Sequence, residues 1–563
     1  MHVFRTTAWS MICAVAAGAG CGVNAAVDGA APEPPGEDGN GGVAAPPSCL
    51  ASNECPTGLT CNEFHVCVAP SPAEDGPPAE TEIALGAPIS SQRFVYVAMT
   101  QQNKLARIDG ATLAVASTPV GAAPREVATI PGSDGAIVLD GAGGTATVVR
   151  PVVTGGDGTR VLATPPSLNR IDVDPTGRFA VAWFDLVKAR LEGSGSAGSF
   201  QDVAVIALAP GAEKSVALTV GFRPKAVAFD AAGGRAYVIT QDGVSVIDLV
   251  DATEHEPRIV PPIAVADPGD APDDVEVQIV ATGDYAAVRR AGRSALRVVG
   301  MRADIAGQIW DIPLAAPPTD IDLAPDGSRV YAALRDAGRL AIVDIPGDAL
   351  DPAGVESIDV SPATAGSLVV SSDGKRALVF TNATLDPHIT VVDLAAPGFP
   401  HVTRTLQKAV RAVGISPDGT TAIVLAARAP GDPATATSVE DFVAMSFGYA
   451  LLDLATGFSK LQLTPVDPGP FAYAPDGDAA YVALDGGDAL TATRALQIVS
   501  ARTGVVETRP LGSPPAAVGI VPGAQQAFVA QRHPLGRVSF VALDTGAIRT
   551  VTGFDLNSQI VDH

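Results

Sequence analysis

The chain has 563 residues with a net charge of −24 and a pI near 4.6, and 47% of it is hydrophobic although only 5% is aromatic. A strongly acidic balance excludes the basic patches that bind nucleic acid or an anionic membrane surface by counterion release, and favours solubility. A core built from Val, Ala, Ile and Leu with few rings favours strands.

Residues 1–20 carry Arg5 and then an apolar run from Ala8 to Ala19, too short to span a bilayer, and are read as a signal peptide. The run ends in Gly18-Ala19-Gly20-Cys21. This resembles the lipobox of bacterial lipoproteins, which implies lipidation at Cys21. Gly18 stands where that pattern usually has Leu, and cleavage after Ala25 with plain secretion is the alternative. Residues 21–48 are rich in Ala, Pro, Gly and acidic side chains and have little to bury, so they are expected to form a flexible tether.

Residues 49–67 hold Cys49, Cys55, Cys61 and Cys67 at equal spacing, with Pro56 and Gly58 between them. Two disulfides are the natural reading in an exported chain, with three pairings open. Zinc would want closer spacings and histidines, and only His65 is at hand. The CxxxxxCPxGxxCxxxxxC pattern is similar to the small cysteine modules that follow the tether in some bacterial surface lipoproteins. A second linker covers 68–92, and the large domain after it has no cysteine.

From residue 93 to 563 the chain repeats. Residues 321–345 read IDLAPDGSRVYAALRDAGRLAIVDI: two alternating apolar runs joined by a Pro-Asp-Gly turn, then a third run ending on Val-Asp. Equivalents of its turn glycine stand at Gly135, Gly177, Gly233, Gly283, Gly327, Gly374, Gly419, Gly477 and Gly523, with steps of 42 to 58 residues. Four short strands at this period signal a β-propeller blade. Units such as YAPDGDAAYVAL (473–484) and FDAAGGRAYVITQDGVSVIDL (229–249) resemble the YVTN-type β-propeller repeat family, a resemblance that implies a fold and is nearly silent on activity. The fold expected is all-β: about ten four-stranded units in a ring. The first unit lacks an innermost strand and residues 557–563 supply an unpaired one, so the C-terminal strand is expected to complete the first blade and close the ring.

Two insertions, 185–201 and 429–446, lie between the second and third strands of the third and eighth units, on opposite sides of a ten-unit ring. Such loops share a face with the connections between blades, and loops carry function more often than scaffold does. Just before the innermost strands stand Arg125, Arg170 and Lys225 in three successive units, Asp274 and Asp320 in the next two, and Arg411 later. If they point inward, a basic arc faces an acidic one at the channel mouth. Their spacing from the turn is five or six residues, and a one-residue slip reverses a strand side chain, so spacing leaves their direction open.

No HExxH, GxSxG, Walker-type or CxxCH motif occurs. Asp267, Asp270, Asp273 and Asp274 invite a calcium reading, but too few ligands are local, and a solvated acidic loop with no cofactor is the simpler expectation. The reading favoured is an exported, lipid-anchored protein at the bacterial cell envelope, or else a secreted or periplasmic one, whose propeller is a non-enzymatic binding or scaffold module. Its partner would be a protein or small molecule; the membrane is reached only through the anchor, and nucleic acid is not expected. The rival is a lactonase-like hydrolase using Arg170, Asp274 and Asp320 at the channel mouth.

Overall fold

The structure is a computed structural model that describes residues 60–61, 67–68 and 89–562, apart from 101, 142, 153–156, 192–198, 256–257, 488–491, 534–535 and 555–559. The signal segment, Cys21, the tether, Cys49, Cys55 and residues 69–88 of the second linker lie outside the described residues. Thr60–Cys61 pairs antiparallel with Cys67–Val68, which sets Cys61 opposite Cys67 in the backbone; their side chains are likewise outside the description.

Ten antiparallel sheets follow one another along the rest of the chain and form a propeller ring. A full blade is illustrated by the sixth, with strands Asp320–Leu323, Arg329–Leu334, Arg339–Asp344 and Glu356–Asp359 from axis to rim. The repeat produces this local structure directly. The turn glycines Gly177, Gly233, Gly283, Gly327, Gly374, Gly419 and Gly477 all take φ between +61° and +78°, the left-handed region that L side chains avoid. In the turn of blade six the Asp326 carboxylate accepts from the Ser328 backbone N–H at 2.9 Å, so the turn satisfies itself.

The tyrosine of the repeat has a separate task. Tyr237, on the second strand of blade four, donates its hydroxyl to the Gly283 carbonyl of the blade-five turn at 2.8 Å, and Tyr96 does the same toward Asp134 of blade two. A Cβ on Gly283 would lie 2.0 Å from that hydroxyl, so only glycine fits beneath it.

Both faces of each blade are apolar, and the core is a ring of ten interfaces between successive blades. One of them joins the ends: Val95, Ala106 and Ile108 of the first blade pack on Val521, Phe528, Val538 and Phe540 of the tenth. Ser90 Oγ also donates to the Ile520 carbonyl at 2.7 Å, and the Gly523 N–H to the Gln92 carbonyl at 2.7 Å.

The C-terminal strand does not take the expected place. Ile560–Asp562 pairs with Arg549–Val551 as a fifth, outermost strand of blade ten. The inner edge of blade one is held by Ile89 and Ser90, where Ser90 bridges Val95 and the Tyr96 N–H donates to the Ile89 carbonyl at 3.1 Å. That edge is therefore filled by the segment entering the ring, and closure is made by packing rather than by strand exchange.

This separates two variants. Phe540 is fully buried in the closing interface, and Phe540→Ala should cost about 3–5 kcal/mol in denaturant unfolding. Deleting residues 555–563 should leave the melting temperature within a few degrees, because only an outer edge is uncovered.

Candidate functional site

The face carrying the loops between second and third strands also carries the connections between blades, and Arg125, Arg170, Lys225, Asp274, Asp320 and Arg411 lie at or just ahead of the starts of the inner strands that follow those connections. The direction of the candidate charges is decided by a feature that spacing does not reveal. The inner strands of blades two, four and eight start with a register shift, between Pro124 and Glu126, Pro224 and Ala226, and Val410 and Ala412. Arg125, Lys225 and Arg411 are the residues that the ladder skips. A bulge breaks the alternation and re-aims its extra side chain.

The re-aimed groups go to different neighbours. Arg125 is exposed and lies over Gly141, where a Cβ would sit 2.3 Å from its Nε. Lys225 Nζ donates to the Pro272 carbonyl and lies 3.6 Å from Asp273; burial pulls its pKa down. Arg411 donates to Asp467 at 2.7 Å and to the Pro468 carbonyl at 3.1 Å. Arg170 opens a regular inner strand opposite Trp183 and pairs with Glu126 at 3.5 Å and Asp185 at 3.2 Å.

Asp274 ends a short 3-10 turn, Pro272–Asp274, and is exposed just ahead of the blade-five inner strand. Asp320 turns toward the next blade: its Oδ2 accepts from the Leu368 N–H at 2.8 Å, and Asp322 does the same for Val370 at 2.9 Å. Both bonds satisfy amides of the neighbouring inner strand. Burial, with Glu276 close by, holds the Asp320 carboxyl well above its ordinary range.

Arg170 and Lys225 of the basic arc are thus neutralised where they stand, Arg170 by Glu126 and Asp185, which sequence reasoning did not single out, and Lys225 by Asp273. Glu126, Asp185 and Lys188 form with Arg170 a chain of alternating charge at the mouth of blades two and three. It also builds the first insertion. Asp185 Oδ1 accepts from the Val187 and Lys188 N–H groups at 2.8 and 3.0 Å, starting the helix Leu186–Leu191, and Lys188 Nζ reaches back to Glu126 and to the Asn169 carbonyl.

The second insertion is fastened from its other end. Ser438 caps the helix Val439–Met445, and at its C-terminus Lys408 Nζ donates to the Val443 and Ala444 carbonyls at 2.6 and 2.9 Å, joined by Arg428 Nε on Met445 O at 2.7 Å. Burial lowers the Lys408 pKa to about 8, which still leaves it charged at neutral pH.

Three of the four aspartates of the acidic stretch, Asp267, Asp270 and Asp273, have found cations in the protein itself. Asp267 accepts from Arg290 and Arg297 at 2.8 and 2.9 Å, and Asp270 pairs with Arg293 at 3.0 Å. Among the described residues no group of three or more His, Cys, Asp or Glu is placed to hold a metal ion.

The fold and its mouth define the class: a ten-bladed β-propeller whose polar channel rim supports two helical insertions on one face. No family model and no curated protein matches the chain. Its structure is similar to that of dihydro-heme d1 dehydrogenase NirN at 14% identity and a TM-score of 0.43, over 81% of this chain and 80% of that one. A eukaryotic initiation factor gives 11% and 0.44 over 84% and 97%, and Kuenenia stuttgartiensis hydrazine synthase 16% and 0.30 over 51% and 94%. None of these likenesses assigns an activity.

One half-buried carboxyl on the inner strand of blade three makes a pH prediction. Asp172 accepts from Trp183 Nε1 at 2.7 Å, yet burial, reinforced by Glu126 and Asp185, raises its pKa to about 6. An acid whose pKa is higher folded than unfolded favours the folded state fully below its unfolded pKa, and that contribution is lost as pH rises through about 6. Asp172→Asn should therefore raise stability at pH 7 by about 1–3 kcal/mol and flatten the stability profile between about pH 4 and 6 in denaturant unfolding.

Proposed function

We propose that this protein is a YVTN-type propeller lipoprotein of the bacterial cell envelope and that its ring is a non-enzymatic scaffold that docks a protein partner on the loop face. One observation carries the reading. The helix Val439–Met445 contains no buried residue and leaves Val439 73% and Phe442 45% exposed, while the helix Leu186–Leu191, five blades away, exposes Val187 and Leu191. Phe222 and Leu385, in other loops of the same face, are exposed as well. Single exposed apolar residues need no explanation, but two anchored helices that both turn apolar side chains outward do. Supporting it, the mouth charges are spent on fastening these insertions and on capping inner-strand amides.

The docking test uses paired serine substitutions. Val439→Ser with Phe442→Ser, and Val187→Ser with Leu191→Ser, should each reduce at least tenfold the proteins crosslinked to the wild-type chain in envelope extracts, with melting unchanged. Crosslinking profiles identical to wild type would sink the proposal. The anchor is tested by Cys21→Ser, which should move the protein from the detergent phase to the aqueous phase and abolish palmitate labelling.

A further inference from the structure

On the loop face, the connection between blades four and five and the loop after the second strand of blade five enclose a cleft of about 280 Å³, lined by Gly269, Asp270, Ala271, Asp274, Arg290 and Arg293 among others. We propose that this cleft binds a small zwitterion, a free α-amino acid or a molecule with the same paired ammonium and carboxylate. The reading is independent of the docking surface above.

The argument starts from charge. Beneath the cleft, Arg290 and Arg297, each with a side chain only 5% exposed, are clamped by Asp267 and Asp311. Arg293 meets Asp270 at 3.0 Å, so three guanidinium groups balance three carboxylates. The charges of the floor balance, with the two buried guanidinium groups of Arg290 and Arg297 held by the half-exposed carboxylates of Asp267 and Asp311. Unused polar capacity is left at the cleft itself. Arg290 Nε has no hydrogen-bond partner among the described residues but is buried beneath the cleft, so the arginine that a ligand would meet is Arg293. The Arg293 side chain is 54% exposed, and among the described residues Nη2 is the one nitrogen of its guanidinium group with a partner.

On the facing segment the Asp274 carboxylate is exposed and has no hydrogen bond or ion pair among the described residues. The Ala291 N–H ties the two walls together by donating to the Asp274 carbonyl at 2.9 Å. Nearby, Lys225 and Arg223 share the single carboxylate of Asp273, at 3.6 and 3.9 Å, which balances the extra negative charge of Asp274. The surroundings are therefore neutral in sum but dipolar across the gap. A lone anion would face Asp274, and a lone cation would face Arg293. A molecule with one charge of each sign answers both walls, carboxylate to arginine and ammonium to aspartate. The volume suits a ligand of a few heavy atoms rather than a peptide, and the lining supplies recognition by charge in place of apolar contact.

The test is calorimetric titration of the purified full-length protein at low ionic strength with glycine, L-alanine and L-glutamine, against acetate and methylammonium as single-charge halves. At least one amino acid should bind saturably, and both halves should bind at least tenfold more weakly. Asp274→Asn and Arg293→Gln should each weaken amino-acid binding at least tenfold. Both side chains are exposed, so melting should be preserved; Arg293→Lys, which keeps the charge, should restore part of the affinity and guards against a folding defect. Absence of saturable heat with all three amino acids, equal binding of either half, or unchanged affinity in both charge-removing variants overturns the proposal.

Discussion

The constraint on which the molecule depends is that each blade must present an apolar surface on both faces and match a neighbour on each. Ten blades divide the circle into steps of about 36°, against roughly 45–90° for the four to eight blades usual in propellers. Neighbouring sheets thus meet at a shallow angle and leave a thin wedge between them. Val, Ala, Leu and Ile fill such a wedge without strain, and the clusters between blades are built almost wholly from them. The low aromatic content is a consequence of this geometry. Tyr96 and Tyr237 sit where the wedge meets a turn, and there the hydroxyl of Tyr237 finds the Gly283 carbonyl.

A ring of many blades also has a long inner edge. Ten innermost strands offer unpaired amides and carbonyls to the channel, the situation that invites unwanted strand pairing. The chain blunts this edge in three ways. Pro124, Pro224, Pro468 and Pro515 are the first residues of their strands, where a missing N–H costs no ladder bond. Bulges follow directly after each of these prolines. In blade seven the edge amides of Leu368 and Val370 are covered by Asp320 and Asp322 from the blade before. Much of the polarity at the mouth is therefore edge chemistry before it is anything else.

How much was legible follows from the range of each determinant. Turn, strand and period are local, so the ring, its ten units and the two insertions in the third and eighth could be read from the repeat. The bulges could not. They change neither composition nor period, and Arg125, Lys225 and Arg411 look in sequence like ordinary strand residues one step out of place. The terminal strand was misassigned because an unpaired strand was matched to a missing one, whereas Ile89 and Ser90, inside what reads as linker, already hold that edge. The arginine partners of Asp267 and Asp270 lie some twenty to thirty residues downstream, Arg290 and Arg297 on strands and Arg293 in the loop between them, and only the folded blade brings them to the acidic stretch. Glu126 and Asp185 were missed for the same reason, although Asp185 directly before an apolar helical stretch is a capping signal that sequence does carry.

The two insertions show what the mouth charges accomplish together. The helix in blade three is started by Asp185 and held through Lys188 to Glu126 on the blade before it; the helix in blade eight is finished by Lys408, from the connection that precedes its blade, and by Arg428. In each case a cation or anion belonging to the mouth satisfies one end of a helix too short to be stable alone. Rigid attachment at the base leaves the outward surface free to be apolar without collapsing onto the ring. The separation between the two helices is then set by five intervening blade interfaces, each a packed aliphatic layer. A ring of this kind fixes the distance between its insertions through its core and the chemistry of their surfaces through its loops, so the two can vary independently.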